Sequence, residues 1–273
     1  MKLKPLSYIP LLVLSIIFIY PFWWMIVNSL NTASDILNIP SLLPRSWQWT
    51  NYIEIFKVQP FARQYINTLF ISILGTAGNI MISTLAGYGF ARLKFPGRNT
   101  AFIFLLTALM MPIEVTIIPL FFQMKALRLL DTFVPLILIP IFASQGAFST
   151  FLMRQYFITL PKELEEAARV DGLNLFSIFT HIMLPNAGPV TASAAILAFL
   201  SIWNTYLEPL VFINTLKKFP LSLALANFND SYGLPQWHLQ LAATTLSIIP
   251  ILLVYFLFQT RISNAMVNSG MKG

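Results

Sequence analysis

The chain contains no cysteine, and only 10% of its 273 residues are charged. Without cysteine it has no disulfide and no cysteine-ligated metal, although this absence does not fix the compartment. Soluble domains carry about 25% charged residues, so charge is too sparse here to coat a soluble surface of this size. Since 57% of the residues are hydrophobic, most of the surface must face lipid or other apolar protein.

Several sequence motifs of catalysis are also missing. No Gly-rich loop ending in Lys-Ser/Thr is present to cradle a phosphate, and no Gly-x-Ser-x-Gly motif supplies a nucleophile. His181 and His238 are isolated, with no second ligand at metal spacing. The net charge of +7 comes from Lys and Arg scattered through short loops, a pattern of membrane topology rather than of nucleic-acid binding. We therefore predict no enzyme activity, no metal or cofactor on this chain, and no nucleic-acid partner.

Long apolar runs dominate what is present. Each of six segments is long enough to cross a membrane as a helix, which takes about 20 apolar residues: 8–29, 66–90, 100–122, 133–153, 190–213 and 241–260. The runs lack the alternation of outer-membrane barrel strands. Lys2 and Lys4 resemble the start of a secretory signal, but Pro21 and Trp24 lie where a small-residue cleavage site is expected. The prediction is an all-α, polytopic membrane domain over residues 1–273, with six transmembrane helices.

The basic residues predict an orientation. With the N-terminus inside, ten Lys and Arg residues lie in the cytoplasm and seven outside, and Arg92, Lys94 and Arg98 cluster in one short inner loop. Both termini are then cytoplasmic. The loops 31–65 and 214–240 lie outside, and both contain aromatic residues suited to the membrane interface.

One segment between the apolar runs is polar, and we call residues 159–189 the polar loop. Thr159 is a candidate N-cap, and the acidic residues from Glu163 to Glu166 suit a helix N-terminus. Gly172 suits a left-handed C′ position. Asn174 can cap a second helix, which Pro185 then ends. The pattern alone predicts two short helices joined by a sharp turn, and it fits an amphipathic hairpin on the membrane as well as a docking surface.

The spacing in the polar loop resembles a known motif. Glu166-Ala167-Ala168, three residues, Gly172, nine residues, Ile182, one residue and Leu184-Pro185 match the "EAA" loop of ABC importer permeases without a gap. The chain as a whole resembles the six-span, maltose-type permeases of the carbohydrate-uptake branch. The further runs that carry this resemblance are Asp171-Gly172, Met111-Pro112 with Ile118-Pro119-Leu120, Trp203-Asn204 with Pro209-Leu210, and the tail Gly270-Met271-Lys272-Gly273.

The resemblance implies partners and a location. In such permeases a coupling helix of this loop sits in a cleft of an ATPase, and the C-terminal tail can reach the ATPase as well. The implied assembly contains a second homologous permease, two ATPase subunits that hold ATP and Mg, and an extracytoplasmic solute-binding protein that the loop 214–240 can contact. It lies in the bacterial cytoplasmic membrane. The implied ATPase-coupling residues are Glu166, Ala167, Ala168, Asp171, Gly172, Leu184 and Pro185.

Polar residues within the spans are candidates for the solute path. A charge at the bilayer centre costs at least about 2.5–3.5 kcal/mol, so Glu114 and Glu208 should face a path, a partner subunit or the interface. Trp203, Asn204 and Tyr206 supply the aromatic faces and hydrogen bonds that sugars favour, and Ser144 and Gln145 are weaker candidates. For any one of these polar residues, bonding between helices is the competing explanation. Close helix packing is expected at four glycines: Gly75, Gly78, Gly87 and Gly89.

The leading hypothesis is a permease subunit of an ATP-driven importer that forms half of the path for a sugar-type solute. The same scaffold importing a glycerol-phosphate ester or a polyol glycoside is the alternative within transport. A polytopic membrane enzyme such as a glycosyltransferase should cluster ionisable residues at one membrane face, and the only such cluster, residues 163–171, resembles the docking motif. A secondary transporter should show inverted repeats, which the sequence lacks.

Overall fold

The computed structural model describes residues 8–36, 41–229 and 232–270. These residues are largely helical and contain no β-strand, which confirms the predicted all-α class. Lys2, Lys4 and tail residues 271–273 lie outside the described residues. The helices are, in chain order, α1 (Tyr8–Ser29), α2 (Ala33–Ile36), α3 (Asn51–Val58), α4 (Phe61–Arg92), α5 (Arg98–Met110), α6 (Ile113–Ala126), α7 (Val134–Phe142), α8 (Ser144–Thr159), α9 (Glu163–Val170), α10 (Leu175–Ile178), a π-helical segment (Phe179–Met183), α11 (Leu184–Asn186), α12 (Gly188–Trp203), α13 (Leu207–Phe212), a 3₁₀ turn (Leu216–Lys218), α14 (Leu221–Leu225) and α15 (Trp237–Gly270).

Four helical stretches of the described chain are long and apolar enough to cross a membrane. They are Ile9–Ser29, Phe61–Arg92, Val134–Thr159 and Trp237–Leu257. Two bent helix pairs raise the number to as many as six when each pair counts as one span. The bent pairs are α5 with α6, and the α10–α11 stretch with α12, bent by 102° and 79°. The chain is therefore a multi-pass helical membrane protein. One bend lies within the third predicted span, and the other lies just before the fifth.

Proline explains the break in the third predicted span. Pro112 has no N–H to donate to a carbonyl one turn earlier, and its ring disfavours helical backbone at the preceding residue. Met111 is accordingly extended, with φ −87° and ψ 111°, and α6 begins only at Ile113. The segment 100–122 is thus two helices that meet at a sharp angle rather than one straight span.

A second proline interrupts the fifth predicted span, 190–213. Helix α12 ends at Trp203 and α13 begins at Leu207. Pro209 cannot donate to the carbonyl of Thr205, and the hydroxyl of Ser222 donates to that carbonyl instead. The break is therefore stabilised by a residue from the loop 214–240, and it places residues 204–206 outside a regular helix.

Helix α4 is the central element of the fold. It packs against α7, α8 and α12, and one of its residues belongs to each of three apolar core clusters. Phe61 packs near Trp203 in the first cluster, Ile71 belongs to the second, and Tyr88 belongs to the third, which includes residues of the polar loop. One continuous helix thus connects the break in the fifth span with the polar loop.

Helices α4 and α8 approach each other closely at Gly87 on α4. A Cβ added there would stand 2.6 Å from Met153 Cβ and 2.9 Å from the backbone nitrogen of Arg154, both on α8. Gly75 and Gly78 are also in tight contact with side chains, whereas Gly89 has no atom within 4 Å of a built Cβ. Close packing is confirmed at the first three of the four glycines, and the expectation for Gly89 is wrong.

The loop 214–240 is built into the fold rather than free. Side-chain amides at and near the start of α4 donate to its backbone: Gln59 to the carbonyl of Asn227 at 2.8 Å, and Asn67 to that of Lys217 at 3.0 Å. Leu221 and Phe228 of this loop are buried in the first core cluster. Tyr232 and Leu234, at its far end, are 88% and 63% exposed.

Candidate functional site

The polar loop begins with α9. Its first turn contains Glu163, Glu165 and Glu166, whose negative charges favour a helix N-terminus. Lys162 occupies the N-cap position and makes no side-chain cap bond. The prediction that Thr159 caps this helix is wrong, because Thr159 is the last residue of α8 and its hydroxyl donates back to the carbonyl of Tyr156 at 2.7 Å.

The turn after α9 is a Schellman motif centred on Gly172. The N–H of Gly172 donates to the carbonyl of Arg169, and the N–H of Leu173 donates to that of Ala168, both at 3.0 Å. Gly172 has φ +84°, a left-handed conformation that glycine adopts without strain. The predicted position of Gly172 is confirmed.

The second helical part of the loop starts with the predicted cap. The Asn174 side-chain oxygen accepts the N–H of Ser177 at 2.8 Å. The helix then widens into the π-helical segment, where Leu184 N–H donates five residues back to the carbonyl of Phe179. The prediction that Pro185 ends this helix is wrong, because Pro185 lies in the first turn of α11 and the helix continues to Asn186 before the 79° bend.

The structure divides the predicted coupling residues between two faces. The exposed members are Glu166, Ala167, Asp171, Gly172 and Pro185, and the partly buried member is Leu184. Ala168 is buried and belongs to the third core cluster, together with Tyr88. Ala168 and Leu184 therefore hold the loop against the transmembrane helices, and the remaining five residues are available at its surface.

An exposed apolar surface lies beside these residues, and sequence analysis did not single it out. Val170 is 88% exposed and Phe176 is 69% exposed. An open groove of about 720 Å³ runs along the loop, lined by Arg169, Leu173, Asn174, Leu175, Phe176 and Ile178. Exposed apolar residues next to charged ones mark an interaction surface. The signal in the sequence that could have revealed this surface is the presence of two large apolar residues, Val170 and Phe176, within the polar loop.

Three of the five candidate path residues lie at the break between α12 and α13. Asn204 and Tyr206 are exposed there, and Glu208 is partly buried in the first turn of α13. Glu114 lies on a different helix, in the first turn of α6. Trp203 is instead a core residue, 4% exposed, whose ring stacks on Phe199 at 5.5 Å.

The weaker candidates lie elsewhere. Ser144 is exposed at the start of α8, and the side-chain amide nitrogen of the partly buried Gln145 has no hydrogen-bond partner among the described residues. The His181 ring nitrogen Nδ1 lies 3.1 Å from the carbonyl of Ser177 in its own helix. Across the described ranges, no three His, Asp or Glu residues converge on a point that could hold a metal ion.

Comparison with known proteins shows the family of the chain. Residues 78–268 match the family described as "Binding-protein-dependent transport system inner membrane component". The chain is 31% identical to the diacetylchitobiose uptake system permease protein NgcG of Streptomyces coelicolor, an alignment that covers 97% of this chain and 87% of that protein. It is 29% identical to the sulfoquinovosyl glycerol transport system permease protein SmoH of Agrobacterium fabrum, covering 99% and 94%.

The fold agrees with a solved structure of the same class. A chain from the crystal structure of a bacterial ABC transporter involved in the import of the acidic polysaccharide alginate superposes with a TM-score of 0.81, at 25% identity, covering 94% of this chain and 95% of that one. The chain therefore belongs to the family of binding-protein-dependent transport system inner membrane components, and it is a multi-pass permease subunit of an ABC importer that works with an ATPase on other chains.

Proposed function

We propose that the chain forms one half of the translocation path for a sugar or oligosaccharide and receives ATP-driven movement through the polar loop. The observation that supports this most directly is the geometry of that loop. The Schellman turn at Gly172 leaves Glu166 and Asp171 at the surface, while the opposite face of α9 packs towards α4 through Ala168. A docking helix needs one exposed face that can bind the partner and one buried face that anchors it to the transmembrane helices.

Docking on the ATPase would use both charge and apolar surface. Glu166 and Asp171 offer carboxylates for charge-assisted hydrogen bonds, which are stronger than neutral ones. Val170, Phe176 and the groove beside them offer apolar area to bury. Ala167 and Gly172 are small, so the ATPase can approach the loop closely at these positions. Pro185 is also exposed on the loop.

The docking proposal is tested by reversing one charge. In Glu166→Lys we expect the ATPase to be retained at least about tenfold less well during affinity purification in mild detergent, since losing a buried charge contact costs about 2 kcal/mol or more and about 1.4 kcal/mol is already tenfold. Lys162→Glu is the matched control, because Lys162 is exposed at the N-cap of the same helix, one turn before Glu166. Equal retention in both variants would show that Glu166 makes no contact with the ATPase.

The proposed assembly is a heteromer. One chain with four to six spans has too few helices to enclose a path for a sugar-sized solute. We propose a second, similar permease, two ATPase subunits that hold ATP and Mg, and a transient extracytoplasmic binding protein, with no cofactor on this chain. Repeated purification of this chain alone, with full transport activity after reconstitution, would overturn the assembly.

The proposed solute is an uncharged saccharide. Glu208 lies in the first turn of α13, directly after Asn204 and Tyr206, and a negative charge near a path disfavours anions such as a glycerol-phosphate ester. Relatives named for diacetylchitobiose and for sulfoquinovosyl glycerol support a saccharide class. The second of these makes a polyol glycoside the second candidate.

Solute identity is tested with the purified complex in vesicles. We expect neutral oligosaccharides, added with the binding protein, to stimulate ATP hydrolysis and to accumulate in the vesicles. Glycerol phosphate and a sulfonated glycerol glycoside are the comparison solutes. Stimulation by either of these alone would replace the neutral-saccharide proposal, and stimulation by none of the carbohydrate classes would overturn it.

A further inference from the structure

A buried ion pair ties the polar loop to the inner end of α4. Arg92, the last residue of α4, places Nε 3.3 Å from Oε1 of Glu165 on α9, and the two side chains are only 6% and 10% exposed. The Nη2 atom of Arg92 also donates to the carbonyl of Leu160, in the segment between α8 and α9. The guanidinium of Arg92 thus contacts both α9 and the short segment that joins α8 to α9.

Aromatic side chains enclose this ion pair. Tyr88, one turn before Arg92, meets Phe157 of α8 at 5.8 Å and Phe179 of the π-helical segment at 5.3 Å between ring centroids. Ala168 completes the contact from α9. The hydroxyl of Tyr88 is buried without a hydrogen-bond partner in the described part of the chain, and it lies within the field of the Glu165 carboxylate. The ion pair therefore lies in an enclosed site shared by α4, α8 and the polar loop.

From this geometry we propose that Glu165 and Arg92 are the positioning residues that make α4 and the docking helix α9 move as one body. The proposal rests on the function proposed above, in which the polar loop receives movement from the ATPase. Because α4 runs from Arg92 back to Phe61, beside the break at residues 204–206, movement of α9 would reach the candidate solute path through one continuous helix.

The ion pair fixes the position of α9 relative to α4, which the apolar contacts around it do not. Apolar burial is non-directional and tolerates sliding of one surface over another. The Arg92 guanidinium is held at 3.3 Å by the charge of the Glu165 carboxylate, and its hydrogen bond to the carbonyl of Leu160 fixes its direction. Removing one partner leaves an unpaired charge in an apolar site, which the loop can relieve only by moving away from α4. The pair is therefore suited to keep α9 in register with α4 during movement.

The first test measures coupling in the reconstituted complex. Glu165→Gln removes the charge with little change in size, and Glu163→Gln removes one from an exposed site on the same helix. In Glu165→Gln we expect the ATPase to remain attached and to hydrolyse ATP, while solute transported per ATP falls at least about fivefold. Glu163→Gln should match the wild type. The double variant Arg92→Glu with Glu165→Arg should recover part of the loss, which a purely local packing role would not predict.

The second test does not depend on the solute. The chain has no cysteine, so Lys94→Cys and Lys162→Cys place two spin labels at exposed positions, beyond the end of α4 and before α9. In the complex of the chain with its ATPase, we expect one narrow distance between the labels that is the same with and without ATP. Adding Glu165→Gln should broaden that distance or make it change with ATP.

The outcomes separate this inference from the proposed function. An ATP-dependent change of the 94–162 distance in the otherwise wild-type chain would overturn the inference, whatever the solute is. A wild-type transport ratio in Glu165→Gln would overturn it as well. Absence of saccharide uptake by the wild type would count against the proposed function only, because the distance measurement still decides whether α9 and α4 move together.

Discussion

Three glutamates within four residues occupy different environments. On a helix each residue turns by about 100° relative to the one before, so Glu163 and Glu166 face outward while Glu165 faces α4. Sequence analysis treated the three as one acidic start of a helix. The structure gives them separate roles: Glu163 at the exposed N-terminus, Glu165 in a buried ion pair and Glu166 on the surface proposed for docking.

At the residue scale, Gly172 carries the first prediction. A Cβ at this position meets no atom within 4 Å, so the cost of Gly172→Ala is the strain of φ +84°, about 1 kcal/mol. Gly172→Asp adds a charge beside Asp171. We expect both variants to insert at normal levels, and Gly172→Asp to hydrolyse ATP without driving uptake in vesicles. Gly188→Ala, which also has open space but no positive φ, should transport normally. Wild-type uptake by Gly172→Asp would show that the loop is not the coupling element.

Asp131 carries a pH prediction. The ammonium of Lys218 at 2.9 Å and the hydroxyl of Thr215 at 2.7 Å, helped by the backbone N–H groups of Asn214 and Thr215, hold the pKa of this carboxyl well below its ordinary value of 3.8. A carboxylate with a lowered folded-state pKa stabilises the fold above its unfolded pKa, and this contribution is lost as the pH falls towards the folded pKa.

The measurement is the thermal midpoint of the purified chain in detergent. Above about pH 5, the wild type should unfold at a higher temperature than Asp131→Asn. This difference should shrink as the pH falls below about 4. Glu54→Gln, an exposed change on α3, serves as the control. A difference that stays constant down to pH 3 would show that the Asp131 contacts do not stabilise the fold.

At the scale of elements, α4 and α8 depend on each other at Gly87. In Gly87→Ala the new Cβ would meet Met153 Cβ at 2.6 Å and backbone of α8 at 2.9 Å, so the helices must separate. We expect a loss of about 1–3 kcal/mol in stability, as for other overpacked sites. Gly89→Ala, two residues along the same helix and open on that side, should be neutral or stabilising, because alanine favours helix over glycine by up to about 1 kcal/mol.

Thermal unfolding of the two variants in the same detergent decides this comparison. The pair separates overpacking from helix propensity, since both substitutions are identical in chemistry and lie in the last turns of α4. Equal midpoints for Gly87→Ala and Gly89→Ala would mean that α4 and α8 are farther apart than the structure shows.

At the scale of the whole molecule, the prediction concerns orientation. We propose that both termini are cytoplasmic, on the basis of the distribution of Lys and Arg. Single cysteines at Trp49 and Asn229 should react with an impermeant reagent added to intact cells, and cysteines at Pro96 and Glu163 should react only after the cells are opened. All four positions are exposed in the structure, so burial cannot explain a failure to react. The reverse pattern would refute the orientation.

The structure also changes the interpretation of the loop 214–240. Its composition suggested a polar outer loop, and the family resemblance implied that it reaches a binding protein. The structure shows Leu221 and Phe228 buried in the core and the loop backbone bonded to Gln59 and Asn67. Deleting much of this loop would therefore damage the fold. Substitution of Tyr232 and Leu234 at its exposed end is the sharper test of contact with the binding protein.

The sequence by itself determined the class of the molecule and the local geometry of the polar loop. Hydrophobic runs of membrane length, sparse charge and the spacing from Glu166 to Pro185 are properties of consecutive residues, and so are the Gly172 turn and the Asn174 cap. Local sequence suffices for these features because helix caps and turns depend on backbone groups only a few residues apart.

Only the tertiary structure decided which side chains meet. Arg92 and Glu165 are 73 residues apart in the chain, and nothing in either neighbourhood distinguishes their charges from those of Lys94 or Glu166. Trp203 has the composition of a sugar contact but packs against Phe199, and Ser222 supports a carbonyl that Pro209 leaves free. Such contacts depend on how α4, α8 and the loops pack together, and packing is set by the whole chain rather than by the residues on either side.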